Sequence, residues 1–371
     1  MTKTARPSSA EHPLALGSLG SWMGLLRRSR RIGPAYVPRV VLVSLTTLLT
    51  SPLRLAETLR HGRAVRRTRI HPSPVFIIGH WRSGTTHLHN LMVQDEAFGA
   101  LTTFQAMAPG FCLIGDGVIK RFIAGQAASR YGTRLIDNIP LALDAPQEDE
   151  YALATLSPHA FLHIFSLPRQ AREIFSQDVM LDGQADPAGW LRTYRWLLRK
   201  TTLACGNRRL VIKNCAHSAR IPLLLEAFPD AKFIHIHRNP YRVFQSTLHM
   251  HRTVLPRSQL QSIQPEDVEA NVLRFYELLM RRFLVDRDRI PAGNLVDVCF
   301  EDLESSPVDQ LQRVYEGLRL PGFEEAKPRF RVYLDSIAGY KKNAYTLDAE
   351  VIDQVNRHWS FAFEPLGYPM Q

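Results

Sequence analysis

The chain is short of cysteine, with only Cys112, Cys205, Cys215 and Cys299 in 371 residues. None stands at a paired or metal-ligating spacing. Neither a disulfide framework nor a metal centre is therefore expected. In a chain of this length such usage points to reduced thiols in the cytoplasm. Repeats and low-complexity tracts are also missing, which excludes solenoids and long disordered arms. Met1 to Gly20 lacks the basic start and apolar core of a secretory signal. The longest apolar run, Val40 to about Leu55, is interrupted by Pro52 and Arg54. Its unbroken part, Val40–Ser51, spans only about 18 Å as a helix, against about 30 Å of bilayer hydrocarbon. A membrane-crossing segment is not expected.

Net charge is missing from most of the chain as well. Residues 1–72 hold 13 Lys/Arg against two acids, an excess equal to the formal charge of +11, and the remaining 33 bases and 33 acids cancel. A body without a basic stripe argues against nucleic acid as a partner. The excess on 1–72 surrounds an apolar stretch with Arg27, Arg28, Arg30, Arg31 and the Arg63–Arg69 cluster. That pattern suits an interfacial helix on an anionic membrane surface, peripheral on the inner face. A helix that caps the following domain with its apolar face accounts for the same pattern equally well.

The remainder reads as one globular α/β domain, 73–371, after a basic, partly apolar helical extension, 1–72. The overall content, 45% hydrophobic and 22% charged, supplies ample core. His71-Pro72-Ser73-Pro74 marks the boundary, because two prolines in four residues favour extended geometry. Continuous apolar runs at Val75–Ile78, Leu210–Ile212, Phe233–Ile236 and Leu295–Phe300 read as buried parallel strands. Helical patterns such as Ile221–Phe228 and Val268–Leu284 lie between them, which implies a P-loop-like parallel sheet with helices on both faces. Residues 101–205 show no clear strand and form a mostly helical insertion on the acceptor side.

The first strand runs into Gly79-His80-Trp81-Arg82-Ser83-Gly84-Thr85-Thr86, followed by a helical stretch, His87–Gln94. A glycine-bearing loop between strand and helix aims backbone N–H groups and the helix's positive end at one point, where a phosphate fits. Its spacing matches G-x-x-x-x-G-K-[ST], except that Thr85 stands where a triphosphate enzyme has lysine and the cation is Arg82. A second loop, His237-Arg238-Asn239-Pro240, ends the strand Phe233–Ile236. Asn239 and Pro240 suit the cap and first residue of a helix, and Ser246 falls two turns in. Arg238 and Ser246 are placed to share one phosphate.

Together these loops resemble the sulfotransferases that use 3′-phosphoadenosine 5′-phosphosulfate, in particular the bacterial branch with GHWRSGTT and QEDE segments. The resemblance runs from about Pro74 to the C-terminus. It implies the sulfotransferase type of α/β fold and transfer of a sulfo group from that donor to a hydroxyl acceptor, a lipid or other membrane compound among the candidates. It assigns the 5′-phosphosulfate to Arg82, Ser83, Gly84, Thr85 and Thr86, and the 3′-phosphate to Arg238 and Ser246. Lys341-Lys342-Asn343 corresponds to the family's late basic R-K-G loop, with Asn for Gly. Lys213 matches a lysine that contacts the bridging oxygen, and Arg82 joins it as a second catalytic cation. Phe300-Glu301-Asp302-Leu303 resembles a Y-E-D-L strand end, with Phe in place of Tyr. No metal is implied.

Sulfuryl transfer also needs a base for the acceptor proton. The family's histidine two residues after the lysine is replaced by Cys215. Two alternatives stay open: His217, and the carboxylates Glu148 and Glu150 of Gln147-Glu148-Asp149-Glu150. The carboxylates are somewhat favoured, since another group must take over from the missing histidine. His159 and His163 are candidates to line the acceptor pocket. Two rival functions fit less well: a kinase with a degenerate P-loop, and a non-catalytic, membrane-bound nucleotide sensor.

Overall fold

The computed structural model describes residues 12–130, 142–339 and 347–371. Strand β1 (Val75–Ile78) is the middle of a five-stranded sheet of order β2-β3-β1-β4-β5, every neighbouring pair parallel. The others are β2 (Phe98–Gly99), β3 (Arg209–Lys213), β4 (Lys232–His237) and β5 (Leu295–Cys299). Alternation along β1 sends Val75 and Ile77 to one core, with Leu88, Leu91 and Tyr315. Phe76 and Ile78 go to the other, with Tyr276 and Trp359. Burial on both faces is what makes the strand an unbroken apolar run. Ile77 pairs with Lys213 and Ile78 with His235, so β3, β1 and β4 end side by side.

The four strands read from the sequence are present, with one change. Phe300 opens a helix, Phe300–Ser305, instead of closing β5. The edge strand β2 is only two residues long and carries no periodicity to read. Residues of the 101–205 insertion form helices, among them Thr103–Met107, Asp149–Leu156 and Pro187–Ala204.

The extension contains α1 (Leu19–Arg28), α2 (Val37–Leu49) and α3 (Ser51–Arg67), and it is packed onto the domain. Trp22, Leu25 and Val43 are buried in the same core as Phe76. Arg28 pairs with Asp178 at 2.8 Å. Glu57 forms a buried ion pair with Lys200 and accepts the N–H groups of Leu113 (2.6 Å) and Ile114 (3.1 Å). The capping role is thus real.

The helical run of the extension is longer than its apolar stretch. The helical run Pro34–Arg67 has 34 residues and is long and apolar enough to cross a membrane. The unbroken apolar stretch ends at Ser51, but α3 resumes there with Pro52 in its first turn, where a missing N–H costs nothing.

The loop after β1 leads into α4 (Thr85–Met92), which begins after Gly84.

Candidate active site

The loop from β1 to α4 is shaped by two glycines. Gly79 (φ +139°) and Gly84 (φ +92°) both occupy the left-handed side of backbone space. A Cβ on Gly79 would collide with the Ile236 carbonyl, and one on Gly84 with the Phe300 ring. Only glycine fits either place. Arg82 also has positive φ, +72°, a strained arrangement of the kind found where a loop wraps a ligand. The first N–H groups of α4 have no acceptor within the helix and face the loop's concavity.

The two phosphate loops meet. Arg82 Nε donates to Ser246 Oγ at 2.9 Å, so the serine assigned to the second phosphate touches the arginine of the first. Ser246 lies on the helix Pro240–Ser258, whose cap is Asn239, accepting from the Tyr241 N–H (3.1 Å), with Pro240 in the first turn. The Arg238 guanidinium lies 4.5 Å from the centre of the Phe300 ring. That ring therefore touches both loops, Gly84 on one side and Arg238 on the other. Lys341, Lys342 and Asn343 lie outside the described residues.

Lys213, the last residue of β3, turns beneath this loop and is buried. Its Nζ lies 2.6 Å from Glu148 Oε2. Glu148 Oε1 accepts more distant bonds from Trp81 Nε1 (3.3 Å) and the Cys215 N–H (3.4 Å). Trp81 is itself stacked on Phe161, ring centres 3.9 Å apart. These groups wall a cavity of about 110 Å³, together with Arg82, Thr85, Thr86, Tyr151, Phe165 and Met250. Pro13 of the extension completes the wall, next to Ser258, whose carbonyl bonds His12 Nε2 at 2.9 Å.

The structure divides the proposed bases. Glu148 lines the cavity, whereas Glu150 and His217 are wholly buried elsewhere. Glu150 is gripped by Arg220 (3.0 Å), Asn214 (2.8 Å) and the Phe161 N–H (2.7 Å). Burial by itself would raise its pKa, but these donors outweigh it and hold the carboxyl below its ordinary range. His217 Nε2 meets the Tyr194 hydroxyl at 2.7 Å, and the ring packs edge-on to Phe76 and Trp190. Neither has an open path to an acceptor, so both belong to the scaffold; the turn Cys215–Ala219 carries His217 under the sheet, away from the cavity.

Asp149 completes the scaffold, accepting from Asn214 at 2.6 Å. Cys215 lines the cavity, but burial first, and Glu148 beside it, push its thiol well up, which leaves it an inert packing residue. His159 and His163 are likewise displaced from the cavity. His159 pairs with Asp178 at 3.0 Å, and His163 bonds the Ser157 carbonyl at 2.9 Å, its pKa lowered to about 4 by burial.

Trp81, Asn214 and Arg220 are site residues that the sequence reading did not single out, whereas Phe300, read there as the counterpart of a family Tyr, takes a packing place between the two loops. Trp81 alone gave a signal, a large aromatic inside a phosphate-binding loop. Among the described residues no group of three or more His, Cys, Asp or Glu is placed to hold a metal ion.

Comparison with known proteins agrees with this geometry. The profile of the Sulfotransferase family matches residues 74–325. The omega-hydroxy-beta-dihydromenaquinone-9 sulfotransferase Stf3 of Mycobacterium bovis is 33% identical over 365 residues, covering 96% of this chain and 91% of that protein. The Mycobacterium tuberculosis protein of the same name gives the same figures. Among solved structures, sulfotransferase STF9 from Mycobacterium avium superimposes with a TM-score of 0.73 at 20% identity, over 100% of this chain and 99% of that one. Sulfotransferase STF1 from Mycobacterium tuberculosis gives 0.68 at 18% identity, over 92% and 91%. At such identities these two establish the fold alone.

Proposed function

This chain belongs to the sulfotransferase family, and from that premise we propose that it moves a sulfo group from 3′-phosphoadenosine 5′-phosphosulfate to the hydroxyl of an apolar membrane lipid. The observation that carries this reading is the placement of Glu148 between Lys213 and Trp81 on the wall of a cavity that also holds Arg82, Thr85 and Thr86.

The donor, when bound, supplies the activated sulfo group. The residues present suit it: Gly79 and Gly84 let the loop pack tightly against the Ile236 carbonyl and the Phe300 ring, where any side chain would collide. Ser83, Thr85, Thr86 and the N-terminus of α4 hold the 5′ end. Arg238 and Ser246 hold the 3′-phosphate, with Lys341 and Lys342 assigned to the same group. Lys213 and Arg82 provide fixed positive charge for the oxygen that gains charge as the phosphate leaves, without solvent reorganisation. Glu148 takes the acceptor's proton at Oε1, since Oε2 is engaged by Lys213 at 2.6 Å and Oε1 is held only at 3.3–3.4 Å.

Tyr151, Phe161, Phe165, Met250 and Val254 give the acceptor side an apolar lining. About 110 Å³ is small beside the several hundred Å³ of sites that engulf a ligand. It suits the hydroxyl-bearing end of a long molecule whose tail stays outside. A hydroxylated quinone lipid, of the kind named for the Stf3 proteins, has that shape. We place the enzyme on the cytoplasmic face of the membrane, where a soluble nucleotide and a membrane acceptor meet.

The test is incubation with sulfur-labelled donor and a total lipid extract, followed by identification of the product. A labelled lipid sulfate is the expected result. Label transferred only to water-soluble metabolites would refute the lipid acceptor. Tight nucleotide binding with no transfer at all would favour a sensor instead.

A further inference from the structure

From Val37 to Leu59, across α2 and the first half of α3, every exposed position is apolar except Thr58. Leu48, Leu49, Leu55 and Leu59 stand furthest out, with Leu49 75% and Leu59 78% exposed. A helix of this length runs about 35 Å, far beyond the scattered single apolar residues of an ordinary surface. The charged residues in the stretch are drawn off the face. Arg39 donates to the Gln259 carbonyl at 2.8 Å, and Arg54 to Thr50 Oγ1 at 2.8 Å. Glu57 is buried against Lys200. Exposed arginines then close both ends, Arg27 and Arg31 before it and Arg60, Arg63 and Arg66 after it.

We infer that this face is a membrane-docking surface that lies flat in the interface of an anionic bilayer, rather than crossing it. The inference deepens the membrane placement proposed above and rests on it. Although the run Pro34–Arg67 is long enough to span, its opposite side is committed to the protein through Val43, Thr47, Glu57 and Val65, all buried. Crossing would strip Glu57 and Lys200 apart and leave each charge unpaired in an apolar medium, which is prohibitively costly. Lying flat keeps that clamp and immerses only the exposed leucines and valines, at the depth interfacial helices reach. Charge selects the occupant. A second copy of this chain would bring one cationic end against another in either direction, whereas anionic headgroups neutralise both.

The experiment uses the full chain with phosphatidylcholine vesicles, with and without phosphatidylglycerol. Wild type is expected to sediment with the anionic vesicles, less so at high salt. The double variant Leu49→Glu/Leu59→Glu should bind at least about tenfold more weakly, and Arg60→Glu/Arg63→Glu should lose the preference for phosphatidylglycerol. Both changes are on the surface, so thermal unfolding should match wild type. Sulfo transfer to a short-chain, water-soluble hydroxyl acceptor should also match it. Unchanged vesicle binding by the leucine variant would overturn the inference, as would equal wild-type binding to both vesicle types. So would a wild-type dimer in solution that the leucine variant dissociates, which would make a second copy the occupant. Failure of transfer to every acceptor would sink the proposed reaction while leaving a leucine-dependent vesicle result standing, so the two ideas fail separately.

Discussion

Glu148 and Lys213 form one buried unit, carboxylate to ammonium at 2.6 Å, joining the helical insertion to the end of β3. The group proposed to accept the proton and the group proposed to stabilise the leaving oxygen are thus in direct contact. Their spacing cannot drift without breaking a buried ion pair, which costs several kcal/mol.

Glu148→Gln should lower turnover by about 10²–10⁴-fold, the yield of a positioned general base, with donor affinity retained. Donor binding is read by calorimetry with the 3′,5′-bisphosphate product and turnover with labelled donor. Near-normal turnover would remove Glu148 from the reaction. A comparable loss in His217→Ala, in protein shown to be folded, would move the base role there despite its burial.

Glu150→Gln should act on stability instead. Breaking its buried pair with Arg220 should cost about 3–5 kcal/mol in denaturant unfolding. Because the folded-state pKa of Glu150 is lowered, its contribution is complete above the unfolded carboxylate range near pH 4.3 and is lost as pH falls through the folded value. The variant's acid unfolding limb should accordingly be flatter. An unchanged limb would mean that the Arg220 contact does not hold the charge.

Burial drives His80 down to about 3 and His163 and His251 to about 4. Such groups stay neutral when folded and take up protons on unfolding, so stability is fully present above the unfolded pKa near 6.5. It falls as pH drops towards the folded value, by up to about 1.4 kcal/mol per pH unit for each histidine. His163→Gln should remove one such share from the slope between pH 6 and 5, measured by unfolding at each pH. An identical slope would show that His163 titrates alike in both states.

Arg238→Ala should weaken the 3′,5′-bisphosphate by about 2–4 kcal/mol, the loss of a buried charge partner, while hardly affecting an analogue without the 3′-phosphate. Phe300→Ala should reproduce part of this, about 1–2 kcal/mol, because the ring supports the guanidinium from 4.5 Å. Phe300→Tyr, which restores the family's residue, should bind the nucleotide normally. Equal losses for both nucleotides in Arg238→Ala would refute the 3′-phosphate assignment.

The shape of the loops proposed to hold the donor was legible because backbone demands show in residue type. Gly79 and Gly84 sit where only glycine fits, and Asn239-Pro240 is the cap they spell. The strands were legible because burial on both faces leaves runs such as Val75–Ile78. Which carboxylate faces the cavity was not, since Gln147-Glu148-Asp149-Glu150 offers three whose fates differ only through contacts far along the chain. Lys213 takes Glu148, Asn214 takes Asp149 and Arg220 takes Glu150. His217 misled for the same reason, a residue near Lys213 in sequence but turned beneath the sheet. The span of the Pro34–Arg67 helix was hidden by Pro52, whose position within a turn cannot be read from composition.

The sheet order has a consequence for how this architecture changes over time. The residues proposed to grip the nucleotide come from the turns after β1 and β4, with Lys213 at the end of β3 and Ser246 on the helix Pro240–Ser258, whereas the apolar wall comes mostly from the insertion, with Met250 and Val254 further along that helix and Pro13 of the extension. On the proposed roles, a substitution at Tyr151 or Phe165 reshapes the chamber for the recipient molecule while leaving the loops after β1 and β4 in place. The two halves can diversify at different speeds, and Glu148 is the rivet that keeps them in register while they do.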